Sequence, residues 1–213
     1  CYGDWIVKQK FAFFDFDDTL IHGDSGKALL GYYLKKYPLA VFRLLKVPIL
    51  YFLYLIGLVK FQTVKSSWLF PMDRLDDDEL NDFYQVCLVP KYYPNVVAEL
   101  KNKKQQGYLI FICSASIEGY LRFCKLPVDG ILGTKTEIKN GKYTSKMIGK
   151  NCKNEEKVLR LNNIINELNL EIDYENSYAY SDSFHDIPML KMVKNRIKIN
   201  KKNGEMTPFI IEK

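Results

Sequence analysis

Apolar residues follow two rhythms along the chain. Residues 11–16 (Phe-Ala-Phe-Phe-Asp-Phe) and 108–113 (Tyr-Leu-Ile-Phe-Ile-Cys) are short, nearly unbroken runs, the pattern of strands buried on both faces of a parallel sheet. Residues 130–132, 177–181 and 196–199 are further strand candidates. Helical spacing takes over between them. A helix over residues 94–106 is predicted to end near Gly107, with others over 117–125 and 188–193. Residues 154–168 bring Val158, Leu161, Ile164, Ile165 and Leu168 to one helical face. Asn140-Gly141, flanked by strand formers, predicts a hairpin turn. Strands alternating with helices predict an α/β fold with a doubly wound parallel sheet.

Residues 24–93 break this alternation and read as helices throughout, with Asp76 as N-cap and Glu79 closing a capping box. The chain therefore divides into a core of residues 1–22 and 94–213 and an inserted helical cap of residues 23–93. Within the insert, residues 39–59 are strongly apolar, interrupted by Arg43, Lys46 and Pro48. The charge-free part, residues 47–59, falls short of the roughly 20 residues a membrane span needs. A buried helix of the insert is the first expectation, and an interfacial helix the second.

Composition narrows the function classes. A chain of 213 residues, 47% hydrophobic, has ample material for a core and is not disordered. A formal charge of +6 is mildly basic, which suits an anionic substrate or a membrane surface. No Lys/Arg-rich run interleaved with aromatics supports nucleic-acid binding. Five scattered cysteines without a CxxC pair predict neither a disulfide framework nor structural zinc. They point to a cytoplasmic setting, with membrane association on the cytoplasmic face left open. The start at Cys1 reads as a processed or otherwise trimmed beginning, with lipidation the weaker alternative.

The sharpest chemistry lies at the end of the first strand, in Asp15-Phe16-Asp17-Asp18-Thr19-Leu20. Asp15 and Asp17 there stand at the carboxyl edge of the sheet, where open α/β folds bind ligands. Crowded carboxylates call for a cation, and hard oxygen donors favour Mg²⁺. Ser114 and Ala115 follow the second long strand, where a hydroxyl suits a phosphate oxygen and equally suits an N-cap. Lys157 lies on the helix of residues 154–168. Asp182 ends a third strand, with Asp186 four residues on.

These four elements, in this order and over nearly the whole chain, resemble the haloacid dehalogenase (HAD) superfamily. The segments LGTKTEIKNGKYTSKM, NEEKVLRL and YAYSDSFHDIPML look like its phosphoserine-phosphatase-like branch, subfamily IB. The resemblance implies a Rossmann-like core with an inserted cap and a Mg²⁺-dependent phosphomonoesterase. In it Asp15 is the nucleophile that becomes an aspartyl-phosphate, and Asp17 is the general acid and base. Lys157, Thr19, Ser114 and Ala115 hold phosphate. Asp15, the Asp17 main chain and Asp182 hold Mg²⁺, supported by Asp186.

Two departures bear on the substrate. Asp24 stands where phosphoserine phosphatases carry Glu, and Ser-Ala-Ser replaces their Ser-Gly-Gly. The greasy, basic insert resembles instead the bacterial phosphatidylglycerophosphatase C group. A lipid phosphate is therefore the first expected substrate, with Arg43 and Lys46, and then Lys60, Lys65 and Arg74, as substrate-facing cations. Peripheral membrane contact through the cap goes with it. A small metabolite such as phosphoserine, a phosphotransferase, and a non-catalytic phosphate-binding module are the alternatives. Oligomeric state has no signal in the sequence.

Overall fold

In the computed structural model, residues 7–73 and 75–211 are described; Cys1 and Arg74 lie outside them. A seven-stranded sheet forms the centre. Its strands are β2 (Phe11–Phe14), β3 (Leu109–Ile117), β4 (Gly130–Lys139), β5 (Lys142–Ile148), β7 (Tyr178–Ser181), β8 (Asn195–Ile199) and β9 (Met206–Pro208). β1 (Val7–Gln9) and β6 (Leu170–Ile172) make a separate parallel pair. Across the main sheet the order is β5-β4-β3-β2-β7-β8-β9, parallel from β4 to β8 and antiparallel at both edges. Numbered by chain order, the five parallel strands run third, second, first, fourth, fifth. This is the doubly wound arrangement, whose order reverses at β2. The ligand crevice of such a sheet opens beyond the carboxyl end of β2, where Asp15 and Asp17 stand.

Both faces of β2 are covered, as its unbroken apolar run requires. Ala12 and Phe14 join one core cluster and Phe11 and Phe13 the other. The second cluster is closed by α7 (Glu155–Glu167) and α8 (Ile187–Leu190) through Leu161, Ile165, Met189 and Leu190. The first takes in α5 (Pro94–Gln105) and much of the helical stretch between β2 and β3. That stretch holds α1 (Ser25–Lys36), α2 (Lys46–Leu55), α3 (Phe61–Trp68) and α4 (Asp77–Phe83). Leu29, Tyr33, Phe70, Met72, Leu80 and Phe83 from it share one apolar core with the sheet. Asp76 caps α4 as expected: its carboxylate accepts from Glu79 N–H, and Glu79 accepts from Asp76 N–H, both at 3.1 Å.

Three expectations are corrected. The helix expected over residues 117–125 is only α6 (Glu118–Leu121), because β3 continues through a bulge to Ile117. Ser114 therefore sits within a strand and is not a helix cap. The short strand at 130–132 runs on to Lys139 and turns at Asn140-Gly141, both at positive φ, into a hairpin with β5. That hairpin leans on the insert: Tyr143 N–H donates to Leu75 O at 2.9 Å and Ser145 N–H to Asp73 at 2.7 Å.

The third correction concerns the greasy stretch. A buried helix was expected over residues 39–59, but a 3₁₀ segment (Pro38–Leu45) followed by α2 forms there, largely in the open. Val47 is the one buried side chain of α2, and the 3₁₀ segment has none. Together they make an 18-residue run of mean hydropathy 1.6, long and apolar enough by composition to cross a membrane. The 3₁₀ segment leans on α1, and α2 leans on α3, and most of their apolar side chains face outward.

Candidate active site

Beyond Phe14 the chain leaves β2 with Asp15 N–H donating to Tyr180 O on β7 at 3.0 Å, so the strand's register carries Asp15 into the crevice. The turn that follows is held by Asp18, at φ 53°, whose carboxylate accepts from Gly23 N–H at 2.8 Å. Aspartate tolerates this left-handed backbone better than most residues. From the opposite side of the sheet, α7 projects Lys157 into the same place. Lys157 is 1% exposed, and its ammonium lies 2.7 Å from Asp15 Oδ1 and 2.7 Å from Asp186 Oδ1. Asp186 is held in turn by Ser181 Oγ at 2.7 Å.

This buried triad has two carboxylates for one ammonium. Burial is the larger influence on Asp15 and raises its carboxyl to about 8, although Lys157 opposes it. Burial pulls Lys157 down, but Asp15 and Asp186 outweigh it and hold the ammonium charged. Thr19 ties the loops together: its hydroxyl lies 3.5 Å from Asp15 Oδ2 and accepts from Asp182 N–H at 3.1 Å. Asp182 is pushed up by burial and then by the charges of Asp18 and Asp186. Positive charge is thus short where four carboxylates gather.

A hard cation would relieve that shortage. Asp15 and Asp182, both bonded to Thr19, present carboxylate oxygens of the kind Mg²⁺ takes together with water. Among the described residues no three Asp, Glu, His or Cys side chains converge as a metal cage by themselves.

Asp17 faces a different neighbourhood. Its Oδ1 accepts from Ser25 N–H at 2.8 Å, and its Oδ2 accepts from the Ser116 hydroxyl. Ser25 Oγ lies 2.8 Å from both Ser116 Oγ and Tyr120 OH, a chain of hydroxyls behind the carboxylate. Burial raises Asp17 to about 6, opposed by the bonds from Ser116 and Ser25. Ser116 and Ser25 were not singled out in the sequence; only the extension of β3 and the start of α1 bring them here.

Asp17 also lines a cavity of about 480 Å³ between the sheet edge and the insert. Leu29, Leu30, Val64, Trp68 and Leu69 wall it, with Ala115 and Ser116 at its base. Lys65 enters it from α3, its ammonium 3.2 Å from Ala115 O and bonded to Asn151 Oδ1. Burial, then nearby Lys153, lowers Lys65 to about 8. Ser114 is buried beside it, its Oγ accepting from Ser116 N–H at 3.1 Å.

The remaining sequence candidates separate. Asp24 lines the cavity, but its carboxylate caps α1, accepting from Lys27 N–H at 2.8 Å. Arg43 and Lys46 do not reach the cavity. Arg43 pairs with Asp73 over the Phe70 ring and borders a shallower cleft against the hairpin, while Lys46 is exposed on α2. Neither therefore lines the cavity that holds Asp17. Lys60 is also exposed. Of the insert cations named from the sequence, Lys65 lines the cavity among the described residues, and Lys27, not named there, lines it too.

The family model for haloacid dehalogenase-like hydrolases matches residues 12–191, which include β2, the insert, Lys157 and Asp182. The chain belongs to that family. A histidinol-phosphatase of Neisseria meningitidis serogroup C (strain 8013) is 28% identical over 201 residues, 90% of each chain. Among solved structures, a protein with unknown function from Bordetella pertussis Tohama I superposes with a TM-score of 0.72 at 22% identity, covering 91% of each chain. A substrate-bound phosphoserine phosphatase complex superposes with a TM-score of 0.63 at 18% identity, covering 90% of this chain and 86% of the other. The fold is that of these neighbours, and the protein is an enzyme of the phosphatase class.

Proposed function

We propose that this HAD enzyme is a Mg²⁺-dependent hydrolase of phosphomonoesters with an apolar body, a lipid phosphate such as phosphatidylglycerophosphate being the fitting case. The observation that carries the reading is the cavity: Asp17 at its base, the half-buried Lys65 within it, Asp24 and Lys27 at its rim, and walls that are mostly apolar. Apolar groups of a substrate gain about 25 cal/mol per Å² on leaving water for such walls.

Asp15 is the nucleophile. One of its carboxylate oxygens bonds to phosphorus as the bond from phosphorus to the leaving oxygen breaks, and Asp17 gives that oxygen its proton. Asp17 then takes a proton from water, whose oxygen displaces Asp15 and releases phosphate. Splitting one hard displacement into two easier ones is the gain from covalent catalysis, and a carboxyl two residues away can serve as both acid and base. Lys157 fixes the orientation of Asp15 and offsets phosphoryl charge, with Ser114, Thr19 and the Ala115 main chain beside it. Mg²⁺, when bound by Asp15, the Asp17 carbonyl and Asp182, supplies charge neutralisation on the phosphoryl group; Asp186 steadies Lys157. Residues 23–93 act as the cap over this site, with the remainder as the catalytic core. Substrate with an apolar body would be taken at a membrane surface, through the cap.

A second reading, a soluble metabolite phosphate, is favoured by the names of the histidinol-phosphatase and phosphoserine phosphatase relatives and by the modest cavity volume. Phosphate release with Mg²⁺ and with EDTA decides between them. The substrates are phosphatidylglycerophosphate in micelles, phosphoserine and histidinol phosphate, with Asp15→Asn as the blank. Lipid-selective release supports the first reading and selective release from a soluble ester overturns it. Release that persists in EDTA overturns the metal assignment.

A further inference from the structure

Charge and apolar surface are distributed very unevenly over this chain. Between Asp24 and Asp73 there is no acidic residue, while Lys27, Lys35, Lys36, Arg43, Lys46, Lys60 and Lys65 all fall there. Those seven cations exceed the whole chain's net charge of +6, leaving 24 basic against 25 acidic side chains elsewhere. The same segment carries the largest run of exposed hydrophobic side chains. Leu39 is 80% exposed, Leu58 70%, and Phe42, Leu45, Ile49, Phe52 and Leu55 are all at 60% or more. Isolated exposed apolar residues need no explanation, but a contiguous patch rimmed by one sign of charge marks a contact surface.

We infer that the 3₁₀ segment Pro38–Leu45 and helix α2 form a docking surface that lies in the plane of an anionic lipid bilayer. The occupant follows from complementarity. Apolar side chains flanked only by cations match the interface between acyl chains and anionic headgroups, where juxtamembrane cations add attraction and long side chains reach back to the headgroups. Two of the cations, Lys36 and Arg43, pair with Glu79 and Asp73, and the exposed Lys35, Lys46 and Lys60 are left to meet the headgroups.

The run is as apolar as a spanning helix, but the fold forbids spanning. α1, which precedes it, and α3, which follows it, line the same cavity through Leu29 and Val64. A spanning segment would put its two ends on opposite sides of the bilayer, whereas these ends sit side by side. The segment can only lie along a surface. Tyr51, Phe61 and Trp68 are more than half exposed and also line the catalytic cavity, so a docked enzyme would open its site directly onto the lipid face. In this the inference deepens the lipid-phosphate reading, yet docking itself does not depend on which ester is hydrolysed.

The test uses the full chain and extruded vesicles of phosphatidylcholine alone or mixed with phosphatidylglycerol, read by co-sedimentation and by Trp68 fluorescence in a Trp5→Phe background. The inference predicts sedimentation with the mixed vesicles, a blue shift of Trp68, and release by added salt. Phe42→Ser and Phe52→Ser, neither in the cavity, should each weaken vesicle affinity about tenfold or more while leaving hydrolysis of soluble p-nitrophenyl phosphate unchanged. Absence of binding to mixed vesicles by an active enzyme overturns the inference, as does equal binding to neutral vesicles. A concentration-dependent dimer in sedimentation equilibrium that the same substitutions dissolve overturns it in favour of a second copy of this chain. Binding read this way stands apart from substrate choice: vesicles can bind an enzyme that prefers a soluble ester, and a lipid-selective enzyme can fail to sediment.

Discussion

Replacing Lys157 by Met tests the electrostatic reading of the buried triad directly. The two side chains have similar volume, so packing with Cys113 and Leu161 is largely kept while one positive charge is lost. What remains is a pair of carboxylates, Asp15 and Asp186, that had each been 2.7 Å from the ammonium. Stripping one partner from a buried ion pair costs about 3–5 kcal/mol. An independent route gives a similar figure. With Asp15 raised to about 8, the parent already carries one proton on this pair at pH 7, so the variant restores its charge balance by binding a further one. Protonating a carboxyl of ordinary value near 3.9 costs about 4 kcal/mol at pH 7 and about 1.5 kcal/mol at pH 5. The sign follows from linkage: the folded variant binds more protons than its unfolded chain, so its stability falls as pH rises above the ordinary carboxyl value. Urea unfolding in EDTA should therefore show a deficit of about 4 kcal/mol at pH 7 that shrinks at pH 5. The melting temperature should fall by about 8–16 °C at neutral pH, at about 2–4 °C per kcal/mol for a chain of this size. Adding Asp186→Asn removes one carboxylate and should recover much of the loss. A deficit under about 1 kcal/mol at pH 7, or one equal at pH 5 and pH 8, would refute the reasoning.

Three further outcomes follow from the same site. Because burial lowers Lys65 to about 8, KM for an anionic ester should rise as pH climbs through that value and the ammonium is lost; in Lys65→Met the profile should be flat and KM high throughout. Ser116→Ala removes the hydroxyl bound to Asp17 and should lower kcat about tenfold or more, the worth of a charge-assisted hydrogen bond, with Ser116→Thr restoring most of it; an unchanged kcat would place Ser116 outside the chemistry. Mg²⁺ at a hundred times its dissociation constant should stabilise the fold by about 2.7 kcal/mol in a thermal melt, and Asp182→Asn should abolish that gain.

What the sequence made legible was whatever local spacing controls. The end of β2 was readable because a doubly buried strand must be apolar and its first carboxylate then falls at the sheet's edge. Lys157 was readable only through the family pattern, since helical periodicity alone describes a polar residue on an otherwise apolar face. The capping box at Asp76 and the turn at Asn140-Gly141 depend on neighbours three or fewer residues apart, and both formed as expected. Non-local pairing was another matter. The bulge that carries β3 on to Ile117 is set by its partner β4, and with it the approach of Ser116 to Asp17. Spacing could not tell that Lys65 turns inward and Arg43 outward. Residues 39–59 were misjudged for a simpler reason. Apolar composition predicts burial only when the covering surface belongs to the same chain.

The segment from Pro38 to Leu58 enters from a helix anchored by Tyr33 and leaves towards one anchored by Val64, while contributing almost nothing to the core between them. The folding free energy and this outward-facing surface are thus encoded by different residues. A lineage could exchange this stretch for a shorter, longer or wholly polar one and keep a stable catalyst. New specificities can therefore be tried there without the destabilisation that usually accompanies innovation, and a chimaera carrying a relative's version of the loop should fold like the parent.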